Sequence, residues 1–290
     1  MNPVATAAAP VLVVGAGTMG NGIAQVFAAA GHPVLLRDAS PAALQKGIDT
    51  IGRSLDRLVK KGTLDVPAKE QILGRIRTGA GGPAASECAI AVEAVPENAG
   101  LKKEILRGLA GELGPKAILA TNTSSISVSE LGAATGRAGR FVGMHFMNPV
   151  PVMALVEIVR GIETTEDTVR ETCDLAKALG KTPVVVNDLP GFVSNRILMP
   201  MINEAAYTLM EGVADREAID TVMKLGMNHP LGPLALADLI GLDVCLNIME
   251  VLHAGFSDSK YRPCPLLRQM VAAGRLGRKT GRGFYDYPAT

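Results

Sequence analysis

The sequence predicts an α/β chain in two parts: a doubly wound sheet domain over residues 1–189, then an all-helical domain over 190–290. Three observations predict it. Short β-branched apolar runs alternate with helix-length stretches as far as Val186, the pattern of βαβ units. A glycine-rich turn joins the first such run to the first helical stretch. After Asp188-Leu189-Pro190-Gly191 the strand-like runs stop and helical periodicity continues almost to the end. A length of 290 residues suits two domains of ~150 residues each.

Element by element, Val11-Leu12-Val13-Val14 is short and wholly apolar, as expected of a strand buried on both faces. Gly15-Ala16-Gly17-Thr18-Met19-Gly20 follows at once, then a helix over 21–30 stopped by Gly31. Residues 33–37 form a second strand with Asp38 at its end. Helices are expected over 41–61 and 67–77, and a loop at Gly79-Ala80-Gly81-Gly82-Pro83. Strands over 88–94 and 116–121 flank a helix over 101–113. Two more strands, 140–146 and 154–160, are joined by the Pro-rich turn Asn148-Pro149-Val150-Pro151. A helix over 165–179 and a strand over 182–186 complete a sheet expected to be parallel. In the helical half, breaks fall near 226–233 and 261–265.

Composition narrows the function. Apolar residues make up 48% and charged residues 20%, which excludes a disordered chain and a fibrous repeat. The net charge of +1 provides no field for nucleic acid or an anionic membrane, so neither is an expected partner. No run of eighteen apolar residues suggests a membrane span. The start lacks a basic segment and a leucine-rich core, so residues 1–9 are expected to be a loose tail and not a signal peptide. The four cysteines, Cys88, Cys173, Cys245 and Cys264, have no metal-ligand spacing, so no metal is expected. Scattered thiols suit the cytoplasm.

The glycine turn carries the first chemical inference. A G-x-G-x-x-G motif has weight when a strand precedes it, a helix follows, and an acid lies about twenty residues on. Here Gly15 permits the tight turn, Gly17 lets backbone amides approach a pyrophosphate, and Gly20 permits close helix packing. Thr18 and Met19 open the helix whose N-terminus favours anions. This is the signature of a Rossmann-type dinucleotide domain. Asp38, eighteen residues beyond Gly20, suits the ribose hydroxyls of NAD and repels the 2′-phosphate of NADP. Arg37 beside it could meet a 2′-phosphate or simply be solvated.

Among the histidines, His32, His229 and His253 have no acid at a telling spacing. His145 ends a strand before the Pro-rich turn, and Glu157 lies on the next strand. A strand–turn–strand of this span can set residues twelve apart face to face, giving the acid/base pair that an alcohol oxidation needs; an ordinary hairpin would have the same spacing. Ser124 follows a strand at its carboxyl end, where open sheets bind ligands, although serines there also cap helices. Asn195 opens the first helix after the Pro190-Gly191 break, suited either to an interdomain cleft or to solvent.

These segments, together with Glu93-Ala94-Val95-Pro96-Glu97-Asn98, His145-Phe146-Met147-Asn148-Pro149, Pro190-Gly191-Phe192-Val193-Ser194-Asn195-Arg196 and Gly281-Arg282-Gly283-Phe284-Tyr285, resemble the L-3-hydroxyacyl-CoA dehydrogenase family. The resemblance runs from about Val11 to Tyr287 and is strongest to its single-function bacterial members. It implies NAD-linked interconversion of (S)-3-hydroxyacyl-CoA, notably 3-hydroxybutyryl-CoA, and 3-oxoacyl-CoA such as acetoacetyl-CoA. By position it makes His145 the catalytic acid/base, Glu157 its partner, and Ser124 and Asn195 contacts to the reacting end of the substrate. Asn148 falls near the nicotinamide, and Glu97, Lys102 and Lys279 match further cofactor contacts. Ser54 and Lys61 match contacts to coenzyme A, on a helix that also carries Arg53, Arg57 and Lys60. Met147 and Pro96 depart from the family pattern without removing a polar group. The resemblance also implies a homodimer through the helical domain. Two other functions share such a fold: a hydroxyacid dehydrogenase of the L-gulonate type, and a nucleotide-binding or structural protein without activity.

Overall fold

The computed structural model describes residues 8–79 and 84–288, so residues 1–7 of the expected tail and 80–83 of the expected loop lie outside the described residues. Clustering of contacts divides the chain into Met1–Asp188 and Leu189–Thr290. The first unit runs β1 (Val11–Val14), α1 (Thr18–Ala29), β2 (Val34–Arg37), α2 (Pro41–Lys60), α3 (Val66–Arg75), β3 (Ile76–Thr78), β4 (Ile90–Glu93), α4 (Ala99–Glu112), β5 (Ile118–Thr121), α5 (Val128–Ala133), β6 (Phe141–Phe146), β7 (Leu155–Arg160), α6 (Glu166–Ala178) and β8 (Thr182–Asn187). All eight strands form one sheet in the order β3-β2-β1-β4-β5-β6-β7-β8.

The apolar runs are strands because both faces are covered: β4, β5 and β6 are buried at every position. Helix starts follow local chemistry. The Ser40 side chain accepts from the Ala43 amide at 3.2 Å and caps α2, and that of Asn98 accepts from Leu101 at 2.9 Å and caps α4. From β1 the chain steps outward through β2 and β3, then returns to place β4 on the other side. The carboxyl ends of β1 and β4 therefore flank the crevice where open sheets bind ligands.

Three expectations need correction. The helix expected over 67–77 ends at Arg75; Ile76-Arg77-Thr78 instead extends the sheet, parallel to Val34-Leu35-Leu36. A short helix, α5, stands where none was expected, capped by the Ser127 hydroxyl accepting from the Glu130 amide at 3.2 Å. The sheet is also not wholly parallel. β7 runs antiparallel to β6, and β8 runs parallel to β7, so the last two strands oppose the others. The connection from β6 to β7 is too short for a crossover helix, which a parallel pair requires.

The second unit contains α7 (Ser194–Met210), α8 (Arg216–Thr221), α9 (Pro233–Ile240), α10 (Leu242–Phe256) and α11 (Pro265–Ala272) around a core that includes Ile202, Leu234, Leu242, Leu252 and Leu267. A π-helical turn, Val222–Gly226, prolongs α8. The unit is helical as expected almost to the end of the chain, where Gly277 bridges Arg282 and Arg282 bridges Asp286. Asp238, buried on α9, binds this tail by accepting from the Phe284 and Tyr285 amides and the Tyr287 hydroxyl at 2.9, 2.9 and 3.0 Å. Burial pushes the Asp238 carboxyl above its ordinary range despite those three donors.

Candidate active site

The glycine turn leaves β1 with Gly15 at φ +103°, where a Cβ would lie 2.5 Å from the Ala94 carbonyl oxygen. A Cβ on Gly20 would lie 1.7 Å from the Gly15 carbonyl oxygen, so helix and turn pack as closely as backbone allows. Gly17 is different. It is the N-cap of α1, it offers no side-chain cap, and among the described residues nothing outside the adjoining chain lies within 4 Å of where its Cβ would be. The first amides of α1 thus open onto a space suited to a pyrophosphate.

Asp38 closes the far side of this turn. Its carboxylate accepts from the Ala16 amide at 2.8 Å and the Ser40 amide at 2.9 Å. Arg37 points its guanidinium at Glu112, 2.5 Å away, and so has a carboxylate partner within the protein. An acid held at the turn and a neutralised neighbour fit a ribose diol better than a 2′-phosphate.

At the carboxyl ends of β4 and β5 lies a buried ionic network. Glu93, wholly buried, accepts from Lys102 Nζ, the Val95 amide and Thr121 Oγ1, each at 2.7 Å. Lys102 is 1% exposed; its ammonium also donates to the Val95 carbonyl at 3.1 Å and lies 3.2 Å from Glu97. Lys102, expected from the resemblance to meet the cofactor, thus has three protein oxygens around its ammonium and ties Glu93 to Glu97. Glu97 in turn accepts from Thr123 Oγ1 at 2.6 Å, the Ser124 and Ser125 amides at 2.9 and 3.0 Å, and Ser125 Oγ at 3.0 Å. Burial opposes its charge, but Lys102 and these donors outweigh burial and hold the carboxyl below its usual range. The loop carrying Ser124 is thus wound around one carboxylate.

The β6–β7 hairpin supplies the candidate acid/base pair. His145 faces Glu157 directly in the antiparallel register. Its Nδ1 lies 2.7 Å from Glu157 Oε2, and both side chains are buried. An ionised carboxylate only accepts, so Nδ1–H donates to it, and Nε2 is the ring nitrogen turned away from Glu157. Asn122, at the end of β5, accepts from the Phe146 amide at 3.0 Å and ties the serine loop to the histidine strand.

A cleft of about 410 Å³ opens beside the glycine turn, lined by Gly17, Asn21, Ser54, Arg57, Asn148 and Val150 among others. Lys46 and Thr50 also line it. The sequence reading missed these two, although they precede Ser54 at helical spacing on one face of α2. Lys61 lies at the C-cap of α2, exposed, and is not among the lining residues. Asn195 and Lys279 belong to the second unit. Asn195 is buried in the first turn of α7, and Lys279 makes a two-pronged bond to Asp243 at 2.6 and 2.7 Å.

Comparison with known proteins agrees with this geometry. Residues 10–189 match the family model described as 3-hydroxyacyl-CoA dehydrogenase, NAD binding domain, and residues 191–287 match the model of the C-terminal domain. The chain is 54% identical over 277 residues to the probable 3-hydroxybutyryl-CoA dehydrogenase of Bacillus subtilis, covering 96% of each protein. It is 53% identical over 275 residues to the 3-hydroxybutyryl-CoA dehydrogenase of Bradyrhizobium diazoefficiens, covering 95% of this chain and 94% of that one. The crystal structure of (S)-3-hydroxybutyryl-CoA dehydrogenase PaaH1 from Ralstonia eutropha superposes with a TM-score of 0.93 at 54% identity, over 97% of this chain and 100% of that one. With both family models spanning nearly all of its length, and a dinucleotide turn and a buried His145–Glu157 pair in one sheet, the chain belongs to the 3-hydroxyacyl-CoA dehydrogenase family of NAD-binding oxidoreductases.

Proposed function

We propose that the chain interconverts (S)-3-hydroxybutyryl-CoA and acetoacetyl-CoA, with His145 as general acid/base. The observation that carries this reading is the 2.7 Å bond from His145 to buried Glu157 at the carboxyl end of the sheet. NAD, when bound against the amides of α1, supplies the hydride acceptor for C3. In oxidation, His145 Nε2 takes the proton of the 3-hydroxyl as the C3–H bond breaks and the C3=O double bond forms. In reduction, the imidazolium returns that proton to the 3-keto oxygen. Glu157 holds the ring in its tautomer and stabilises the imidazolium. Ser124 and Asn195 are assigned to donate hydrogen bonds to the substrate oxygens, where charge develops. Gly15, Gly17, Thr18, Met19, Gly20, Asp38, Glu97, Asn148 and Lys279 are assigned to the cofactor.

The basic face of α2, with Lys46, Ser54 and Arg57 on the cleft and Lys61 at its end, suits the phosphates of coenzyme A. The working form is a homodimer in the cytoplasm. In support, the helical unit carries an apolar hollow lined by Met201, Ala205, Val213, Ile219, Val222 and Pro233, with Val213 72% and Val222 60% exposed. Light scattering across protein concentrations tests the dimer, and a constant mass near 30 kDa would overturn it.

The activity test follows absorbance of the reduced nicotinamide with acetoacetyl-CoA, comparing NADH with NADPH. Consumption of NADH by the wild type is expected. His145→Gln is expected to lose a factor of about 10²–10⁴ in kcat while NADH still binds. Near-normal turnover in that variant refutes the role of His145. Silence of the folded wild type with both nucleotides refutes the substrate.

A further inference from the structure

Lys181, between α6 and β8, is buried at 9% exposure, yet among the described residues no carboxylate lies within ion-pair distance of it. Its backbone is held on both sides. Gly180 terminates α6 with φ +72°, the Lys181 amide donates to Ala176 O at 3.0 Å, and the Thr182 amide donates to Ala154 O at 2.7 Å. The side chain reaches from this fixed point to two carbonyls of the β6–β7 connection, Val150 O at 2.6 Å and Met153 O at 2.8 Å. A buried ammonium without a counter-charge is costly, and burial does lower the affinity of Lys181 for its proton. Such a group persists where its hydrogen bonds are worth more than its desolvation.

The two carbonyls belong to the segment that links the histidine strand to the glutamate strand. Asn148, Pro149, Val150 and Pro151 form one wall of the cleft. Opposite stands α1, and the approach is tight: a Cβ on Gly22 would lie 2.8 Å from Val150 Cβ. The segment has its own turn, in which the Val152 and Met153 amides donate to Pro149 O at 2.9 and 3.0 Å. Among the described residues no backbone amide outside that turn donates to the Val150 and Met153 carbonyls, and the ammonium takes up both.

We propose that Lys181 is a positioning residue for the substrate cleft, a charged latch that holds the Asn148–Met153 wall against α1 and so sets how tightly the thioester is gripped. This rests on the reading that the cleft takes an acyl-CoA. The latch acts on binding of the thioester and leaves the His145–Glu157 register, which the β6–β7 ladder fixes, unchanged.

The test compares Lys181→Met, which fills the space without a donor, with Lys181→Arg, which keeps charge and donors. Lys181→Met is expected to raise the KM for acetoacetyl-CoA about tenfold, in the range of one lost charge-assisted hydrogen bond, with a smaller rise in the KM for NADH because Asn148 lies in the same wall. Lys181→Arg is expected to restore most of it. Amide hydrogen exchange provides a readout that needs no activity. In Lys181→Met the Val152 and Met153 amides should exchange faster while those of β6 and β7 keep their protection. If Lys181→Met does not fold, Lys181→Gln, with a shorter neutral donor, carries the same comparison and should show the same local loss. Unchanged exchange at Val152 and Met153, or loss of protection spread evenly over the unit, overturns the latch. A wild type inactive on acetoacetyl-CoA overturns the substrate reading and leaves the exchange comparison standing.

Discussion

Replacing Glu157 with Gln removes a charge while keeping the shape of the site. In the wild type the carboxylate side chain is 3% exposed and that of His145 is 9% exposed, with 2.7 Å between the bonded atoms. When His145 becomes an imidazolium, its charge sits about 4 Å from that of the carboxylate, an attraction of about 4 kcal/mol at an effective dielectric near 20. A neutral glutamine that accepts from Nδ1–H recovers about 1 kcal/mol. The difference of about 3 kcal/mol predicts a kcat lower by about two decades. A glutamine that instead donates to Nδ1 places the proton on Nε2, which removes the base, so oxidation of the alcohol should suffer more than reduction of the ketone. The assay is steady-state turnover in both directions, with NADH affinity and urea midpoint as controls. A folded Glu157→Gln enzyme within threefold of wild-type kcat in both directions would refute the pairing argument.

Other perturbations test the surroundings of the site. Glu112→Ala frees Arg37 from an ion pair that is 35% and 48% exposed; since such pairs are worth about 0–1 kcal/mol, kcat/KM for NADPH relative to NADH should rise by up to about fivefold. Lys102→Met leaves Glu93 buried without its cation and should cost about 3–5 kcal/mol, read as a lower urea midpoint. Glu97 has its folded pKa lowered, so the stability it contributes is present above the unfolded carboxylate pKa and is lost as pH falls through the folded value. The urea-midpoint gap between wild type and Glu97→Gln should therefore be full at pH 7 and close as the medium falls below about pH 4. A gap independent of pH would show that Glu97 contributes through shape and not charge.

Much of the site was legible in the sequence because it rests on short-range rules. The glycine spacing, the strand before it and Asp38 after it are consequences of one βαβ unit, and the structure has them in that unit. The facing of His145 and Glu157 followed from a turn centred on the Pro-rich segment, since antiparallel pairing conserves the sum of paired residue numbers. What escaped depends on three-dimensional packing. β3 has three residues and is a strand only because β2 offers a free edge. Lys102 belongs to a residue type that is rarely buried, and only its proximity to Glu93, nine positions earlier, explains why it is. Lys181 carries no local signal in the sequence, because its acceptors lie about thirty residues away in the chain.

The reversal of strand direction after β6 gives the site its economy. In a parallel continuation, the chain after His145 would have to cross a face of the sheet and re-enter at the opposite end. The following strand would then reach the level of His145 only after a helix and a second loop, each adding positional freedom to the histidine's partner. The antiparallel step lets the chain turn at 147–154 and descend directly beside β6, so that Glu157 meets His145 through the ladder itself. β8 then runs parallel to β7, and its entry point delivers Lys181 to the same turn. One change of direction thus sets the His145–Glu157 pair and anchors the connection beside the cleft. Insertion of a single residue between Phe146 and Leu155 separates these two consequences: the β6–β7 ladder can hold its register by bulging the turn, while the Val150 and Met153 carbonyls move off Lys181. Such an insertion should raise the KM for the thioester far more than it lowers kcat. Equal loss of both would mean that ladder and latch are not independent.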